Sequence, residues 1–230
     1  MIKEFIYDIG GTLVKTDDVL INTIRLVLKQ NNLELINKDK VINVFGKNTH
    51  TLIKTAVELS YSGVGIDEKI KKCWESFKFI FPKKVVSNFK NFPTVVNTLK
   101  LLKNKGIKLA ILSGFNKVEA DLILKEMGLL QFFDAIITVD DTKEPRPSPE
   151  GLLLAIKKLG FDKSGLKYCI YVGDTVADIQ MAKNAKKRVV CVRTGPQNNK
   201  LLEDANPDYF VDNLSEMVVE LSSELPNWIL

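Results

Sequence analysis

A chain of 230 residues, 45% hydrophobic and 27% charged, has the make-up of a globular protein long enough for one core and a smaller satellite. Its net charge of +5 comes almost wholly from lysine, and no run approaches the ~20 apolar residues of a membrane span. The densest basic run, Lys183 to Arg188, lacks interleaved aromatics and is expected to be a solvated helix end rather than a nucleic-acid surface. The positive field still favours small anionic substrates. Cys73, Cys169 and Cys191 are odd in number and scattered, and the N-terminus has no leader pattern, so a reducing, cytoplasmic setting is expected.

The first predicted strand covers residues 2–8: Ile2, Phe5 and Ile6 lead to a single carboxylate, Asp8, followed by Gly10 and Gly11. Thr16 stands as the N-cap of a helix running through Lys29, with Leu20, Ile24, Val27 and Leu28 on one face. Further helical patterns follow at 38–45, 49–60 and 66–80 with no convincing strand, which predicts a small helical bundle inserted after the first strand. Beyond residue 90, apolar runs at 107–113, 135–140, 167–174, 188–195 and 208–213 alternate with helical stretches. One such stretch has Ser148 as N-cap, Pro149 in the first turn and Gly160 past its end. Continuous apolar strands separated by helices argue a parallel sheet covered on both faces. The expected architecture is a doubly wound, mostly parallel, Rossmann-like α/β core (1–15 and 91–230) with an α-helical cap (16–90).

In open α/β sheets, ligands bind beyond the carboxyl ends of the strands. Those ends carry Asp8, Ser113-Gly114 and Gly173-Asp174, with Asp178 one helical turn further. Three carboxylates and a hydroxyl converging there make an oxygen-lined site suited to Mg²⁺, which would neutralise a phosphoryl group and allow an aspartate to attack phosphorus. Taken singly, each has an ordinary explanation: a strand-end cap, a turn, and a capping box from Thr175 to Asp178. Their occurrence in this order at successive strand ends favours the functional reading.

These segments resemble the haloacid dehalogenase superfamily nearly end to end: DIGGTL at 8–13, the helical insertion directly after it, LSG at 112–114, RPSPEGLLLAIKKLG at 146–160 and VGDTVADI at 172–179. The resemblance implies Asp8 as the nucleophile forming an aspartyl intermediate. It implies Mg²⁺ held by Asp8, the Gly10 backbone carbonyl and Asp174 with Asp178 in support, and phosphoryl oxygens bound by Ser113 and Gly114. The short stretch between the second and third core strands leaves no room for a second cap. A small phosphorylated metabolite is the implied substrate, phosphoglycolate phosphatase-like in layout, with a monomer or homodimer expected.

Two positions depart from that pattern. Family phosphatases usually carry a second Asp two residues after the nucleophile, acting as acid and then base; here Gly10 stands there. A general acid contributes about 10²–10⁴-fold, so leaving groups that depart readily as anions are favoured, and Gly10→Asp is expected to raise alkyl phosphatase activity by up to that factor. His50 or Asp17 is a candidate substitute acid from the cap side. The second departure is Arg146 in place of the usual pre-proline lysine; it keeps the charge and binds phosphate in a fork, with Lys143 as the fallback cation. Both departures resemble the phosphonoacetaldehyde hydrolase branch, which uses a cap lysine as a Schiff base; Lys47 and His50 are the counterparts here, although a solvated lysine and a helix-start histidine explain them equally well. A third alternative is a non-catalytic binding protein on the same fold.

Overall fold

The computed structural model of the protein describes residues 2–42, 45–160 and 168–225. Six strands form one parallel sheet: β1 (Glu4–Tyr7), β4 (Lys108–Leu112), β5 (Ala135–Ile137), β6 (Cys169–Gly173), β7 (Arg188–Val192) and β8 (Tyr209–Val211), in the order β5-β4-β1-β6-β7-β8. The order reverses at β1, so the chain leaves β4 and β6 on opposite sides of the crevice beyond Asp8. Each strand's two-residue alternation feeds two cores. Phe5, Tyr7, Leu109, Ile111, Ile170 and Val172 pack on one face with helices α5 (Val95–Asn104), α6 (Lys117–Glu126) and α10 (Leu214–Glu220). Ile6, Ala110, Leu112 and Tyr171 pack on the other with α7 (Glu150–Lys158), α8 (Val176–Asn184) and α9 (Asn199–Asp204).

Between β1 and β4 lie α1 (Asp17–Gln30), α2 (Lys38–Ile42), α3 (Thr49–Ser60) and α4 (Ile66–Asn88), α4 packing against α1 and α3. The bundle is entered and left through a ribbon that the sequence does not announce: β2 (Val14–Lys15) pairs antiparallel with β3 (Lys90–Asn91). Two-residue strands carry no periodicity to read. Helix α4 outruns its predicted end at residue 80, passing through Pro82. Phe77, Phe81 and Val85 recur every fourth residue and are fully buried, so their burial outweighs the backbone bond lost at the proline. Trp74, Phe77 and Phe81 stack in sequence along it, and Phe81 stacks in turn on Phe115 of the loop after β4, with ring centroids 5.9 Å apart.

Further expectations are adjusted. The strand predicted to Asp140 ends at Ile137, because Thr138 and Asp141 form a capping box around a short 3₁₀ turn. The helix predicted over 38–45 ends at Ile42 before residues 43–44, which, like the start of the predicted strand at 167, lie outside the described residues. Thr16 occupies the N-cap position of α1 but makes no side-chain capping hydrogen bond.

Candidate active site

The strand ends bring Asp8, Ser113, Gly114, Arg146 and Asp174 to one cavity, roofed by Thr16 and Leu20 of the α1 segment and by Phe45, Gly46, Lys47, Thr49 and Leu52. Its volume of about 40 Å³ has room for a few water molecules.

Asp8 leaves β1 with its amide donating to the Val172 carbonyl at 2.9 Å. Arg146, buried in the loop before α7, donates from Nη2 to Asp8 Oδ1 at 2.6 Å and from Nη1 to Asp178 Oδ1. Tyr171 adds its hydroxyl to the same Asp178 oxygen at 2.7 Å. The other Asp178 oxygen accepts from the Thr175 hydroxyl at 2.6 Å and the Thr175 amide at 3.1 Å, completing the capping box of α8. One oxygen of Asp178 therefore caps the helix and the other anchors the arginine.

Asp178 is absent from the cavity wall, because both its oxygens are held by protein donors. Asp8, Gly10 and Asp174 do face the cavity. Asp174 accepts from the Thr12 hydroxyl at 2.8 Å. Burial pushes the Asp8 carboxyl up to about 6 against the pull of Arg146, with Asp178 adding repulsion. Burial, then repulsion from Asp178 and Asp8, holds Asp174 well above the usual carboxylate range. Among the described residues no three His, Cys, Asp or Glu side chains surround one point as ligands. The donor set nevertheless suits a hard divalent cation, since the Asp8 and Asp174 carboxylates line the cavity beside Gly10, where three buried acids share one guanidinium.

Ser113 Oγ accepts from the Phe115 amide at 3.1 Å, which leaves its own hydrogen to donate. A β-carbon at Gly114 would lie 2.5 Å from the Lys47 backbone oxygen, so only glycine lets the bundle backbone approach this closely. Lys47 itself is exposed at the cavity mouth. His50 does not line the cavity; it is exposed and stands edge-on to Trp74, with centroids 5.2 Å apart. Asp17 and Lys143 are likewise outside the lining. The residues that sequence reasoning missed are Thr12, Tyr171 and Phe115. Thr12 lies inside the DIGGTL motif, whereas nothing in the sequence pattern marks the other two.

The family model for haloacid dehalogenase-like hydrolases matches residues 5–192, most of the chain. The chain belongs to that family. Among haloacid dehalogenase-like relatives, it is 27% identical over 221 residues to pyrophosphatase PpaX of Bacillus mycoides, covering 96% of this chain and 97% of the relative. It is 26% identical over 220 residues to a phosphoglycolate phosphatase of Agrobacterium fabrum, covering 96% and 92%. The fold is shared with the crystal structure of a predicted phosphoglycolate phosphatase from Haemophilus somnus, at TM-score 0.87 and 24% identity over 95% of this chain and 97% of that one. As a haloacid dehalogenase-like hydrolase, the protein is an enzyme rather than a binding module on a borrowed fold. Among the described residues no helix is long and apolar enough to cross a membrane.

Proposed function

We propose that the protein is a Mg²⁺-dependent phosphatase of small phosphorylated metabolites, working through an aspartyl-phosphate on Asp8. Residues 1–15 and 91–230 act as the catalytic core and 16–90 as the cap that selects the substrate, in a cytoplasmic monomer or homodimer. The observation that carries this reading is the Asp8 carboxylate, held at 2.6 Å by Arg146 and facing a cavity lined by Ser113 and Gly114.

Asp8 supplies an oxygen lone pair to phosphorus while the bond from phosphorus to the leaving oxygen breaks and its electrons go with that oxygen. Ser113 donates its hydroxyl, and Arg146 its charge, to the non-bridging phosphoryl oxygens. Water then attacks the acyl phosphate at phosphorus, releasing phosphate, a proton to solvent and the free carboxylate. Asp8, Asp174 and the Gly10 carbonyl would hold Mg²⁺, which would supply positive charge to the phosphoryl group. Asp178 orients Arg146.

Gly10 has no proton to give, so the leaving oxygen's own basicity governs the first step. The names of the relatives divide on this point: pyrophosphate expels phosphate, a weak base, whereas phosphoglycolate expels an alkoxide. The chemistry of this site favours the first kind, phosphoanhydrides and acyl or aryl phosphates. Phosphate release across pyrophosphate, acetyl phosphate, aryl phosphates, phosphoglycolate and glycerol phosphate, with Mg²⁺ and after chelation, tests it. Metal-independent release, or a preference for alkyl esters, would contradict it.

A further inference from the structure

The space above Gly10 is occupied. A β-carbon placed on Gly10 would lie 2.7 Å from Thr16 Oγ1 and 3.5 Å from the Phe115 ring. Thr16 is 2% exposed and lines the cavity with Asp8 and Ser113. It stands at the N-cap of α1, where a threonine hydroxyl ordinarily accepts from a backbone amide of the first turn, yet it makes no such bond. Among the described residues its hydroxyl has no hydrogen-bond partner. The hydroxyl is therefore open to the cavity it lines, where a water molecule or a bound substrate supplies its partner. Among the described residues, the only titratable side chains in the lining are Asp8, Lys47, Arg146 and Asp174. Asp8 and Arg146 are paired with each other, Asp174 is bound by Thr12, and Lys47 is at the mouth.

We infer that Thr16 is a catalytic residue whose hydroxyl donates a hydrogen bond to the leaving-group oxygen, standing where the missing acid's side chain would reach. This rests on the phosphatase reading above and deepens it. As the phosphorus–oxygen bond breaks, both electrons go to the leaving oxygen. Thr16 Oγ1 donates to that oxygen and keeps its own proton, and the leaving group is protonated by solvent after release. A hydrogen bond stabilises the developing charge without neutralising it. The benefit therefore grows with leaving-group basicity but falls short of what proton transfer supplies.

The test is kcat/KM for wild type, Thr16→Val, Thr16→Ser and Lys47→Met on aryl phosphates of graded leaving-group pKa, with pyrophosphate as the anhydride. Circular dichroism and thermal melting check the fold of each variant. Thr16→Val, which removes only the hydroxyl's hydrogen-bonding capacity, should lose about ten- to a hundredfold on the most basic phenols and far less on 4-nitrophenyl phosphate. Thr16→Ser should recover most of that loss. Should the valine variant fold poorly, Thr16→Ala carries the same comparison. A uniform loss across the series, no loss, or a steepened dependence in Lys47→Met alone overturns the assignment of Thr16 while leaving the phosphatase standing. A wild type that releases phosphate from none of these compounds overturns both.

Discussion

Thr16 Oγ1 stands over the α-carbon of Gly10, 2.7 Å from where a β-carbon would begin. The two residues are therefore one device. The glycine makes room for the hydroxyl, and the hydroxyl fills the room that an acidic side chain would need.

It follows that an acid restored at Gly10 requires the Thr16 hydroxyl to shift. Gly10→Asp was expected from the sequence to raise alkyl phosphatase activity, but its side chain has to displace Thr16 first. The single variant should gain little on glycerol phosphate. Gly10→Asp combined with Thr16→Ala should gain up to about 10²-fold in kcat/KM. A full gain in the single variant would show that Thr16 yields freely.

Arg146 holds together two acids from different elements, Asp8 after β1 and Asp178 in α8. Arg146→Met leaves both buried carboxylates without their cation and should cost about 3–5 kcal/mol in chemical denaturation. Arg146→Lys keeps the charge but lacks the fork that reaches both acids, so its stability should fall between the two. Equal stability of all three proteins would mean that the pairing is incidental.

What the sequence made legible was what periodicity and strand ends encode. The six core strands, the helical insertion, and the arrival of Asp8, Ser113 and Asp174 at one edge all follow from apolar runs ending in polar residues. Contacts between distant side chains left no such trace. The alternation of β6 puts Tyr171 on the α8 face, yet nothing in the sequence says that its hydroxyl reaches Asp178. Thr16 looked like a helix cap because threonine before a periodic stretch usually is one, and only its position opposite Gly10 reveals another use. The helix expected over 66–80 runs on to Asn88, and the continuing stripe of Phe81 and Val85 carries it through Pro82.

Glu119 of α6 accepts from Thr49 of α3 at 3.2 Å, joining the core to the bundle roof beside the cavity. Burial pushes its carboxyl from 4.5 up to about 7, against the pull of the Asn116 amide and the Thr49 hydroxyl. The folded state thus binds the proton more tightly than the unfolded chain. Its stabilising contribution is complete below about 4.5, fades as pH rises towards 7 and is absent above, a change on the order of 3 kcal/mol. Thermal melting should show wild type losing stability over that window, and Glu119→Gln should flatten the loss. An unchanged slope in the variant would assign the effect elsewhere.

Lys47 lines the cavity at its mouth, whereas His50 stands against Trp74 outside the lining. Borohydride with phosphonoacetaldehyde should leave phosphatase activity intact. Irreversible inactivation that Lys47→Arg resists would revive carbon–phosphorus cleavage.

The most direct test of the central claim is phosphate release by Asp8→Asn against wild type on pyrophosphate and acetyl phosphate in Mg²⁺, with folding verified by circular dichroism. An amide cannot form the aspartyl phosphate, so turnover should fall by about three orders of magnitude or more while the fold persists. A folded Asp8→Asn protein hydrolysing either compound at near wild-type rate would contradict the account.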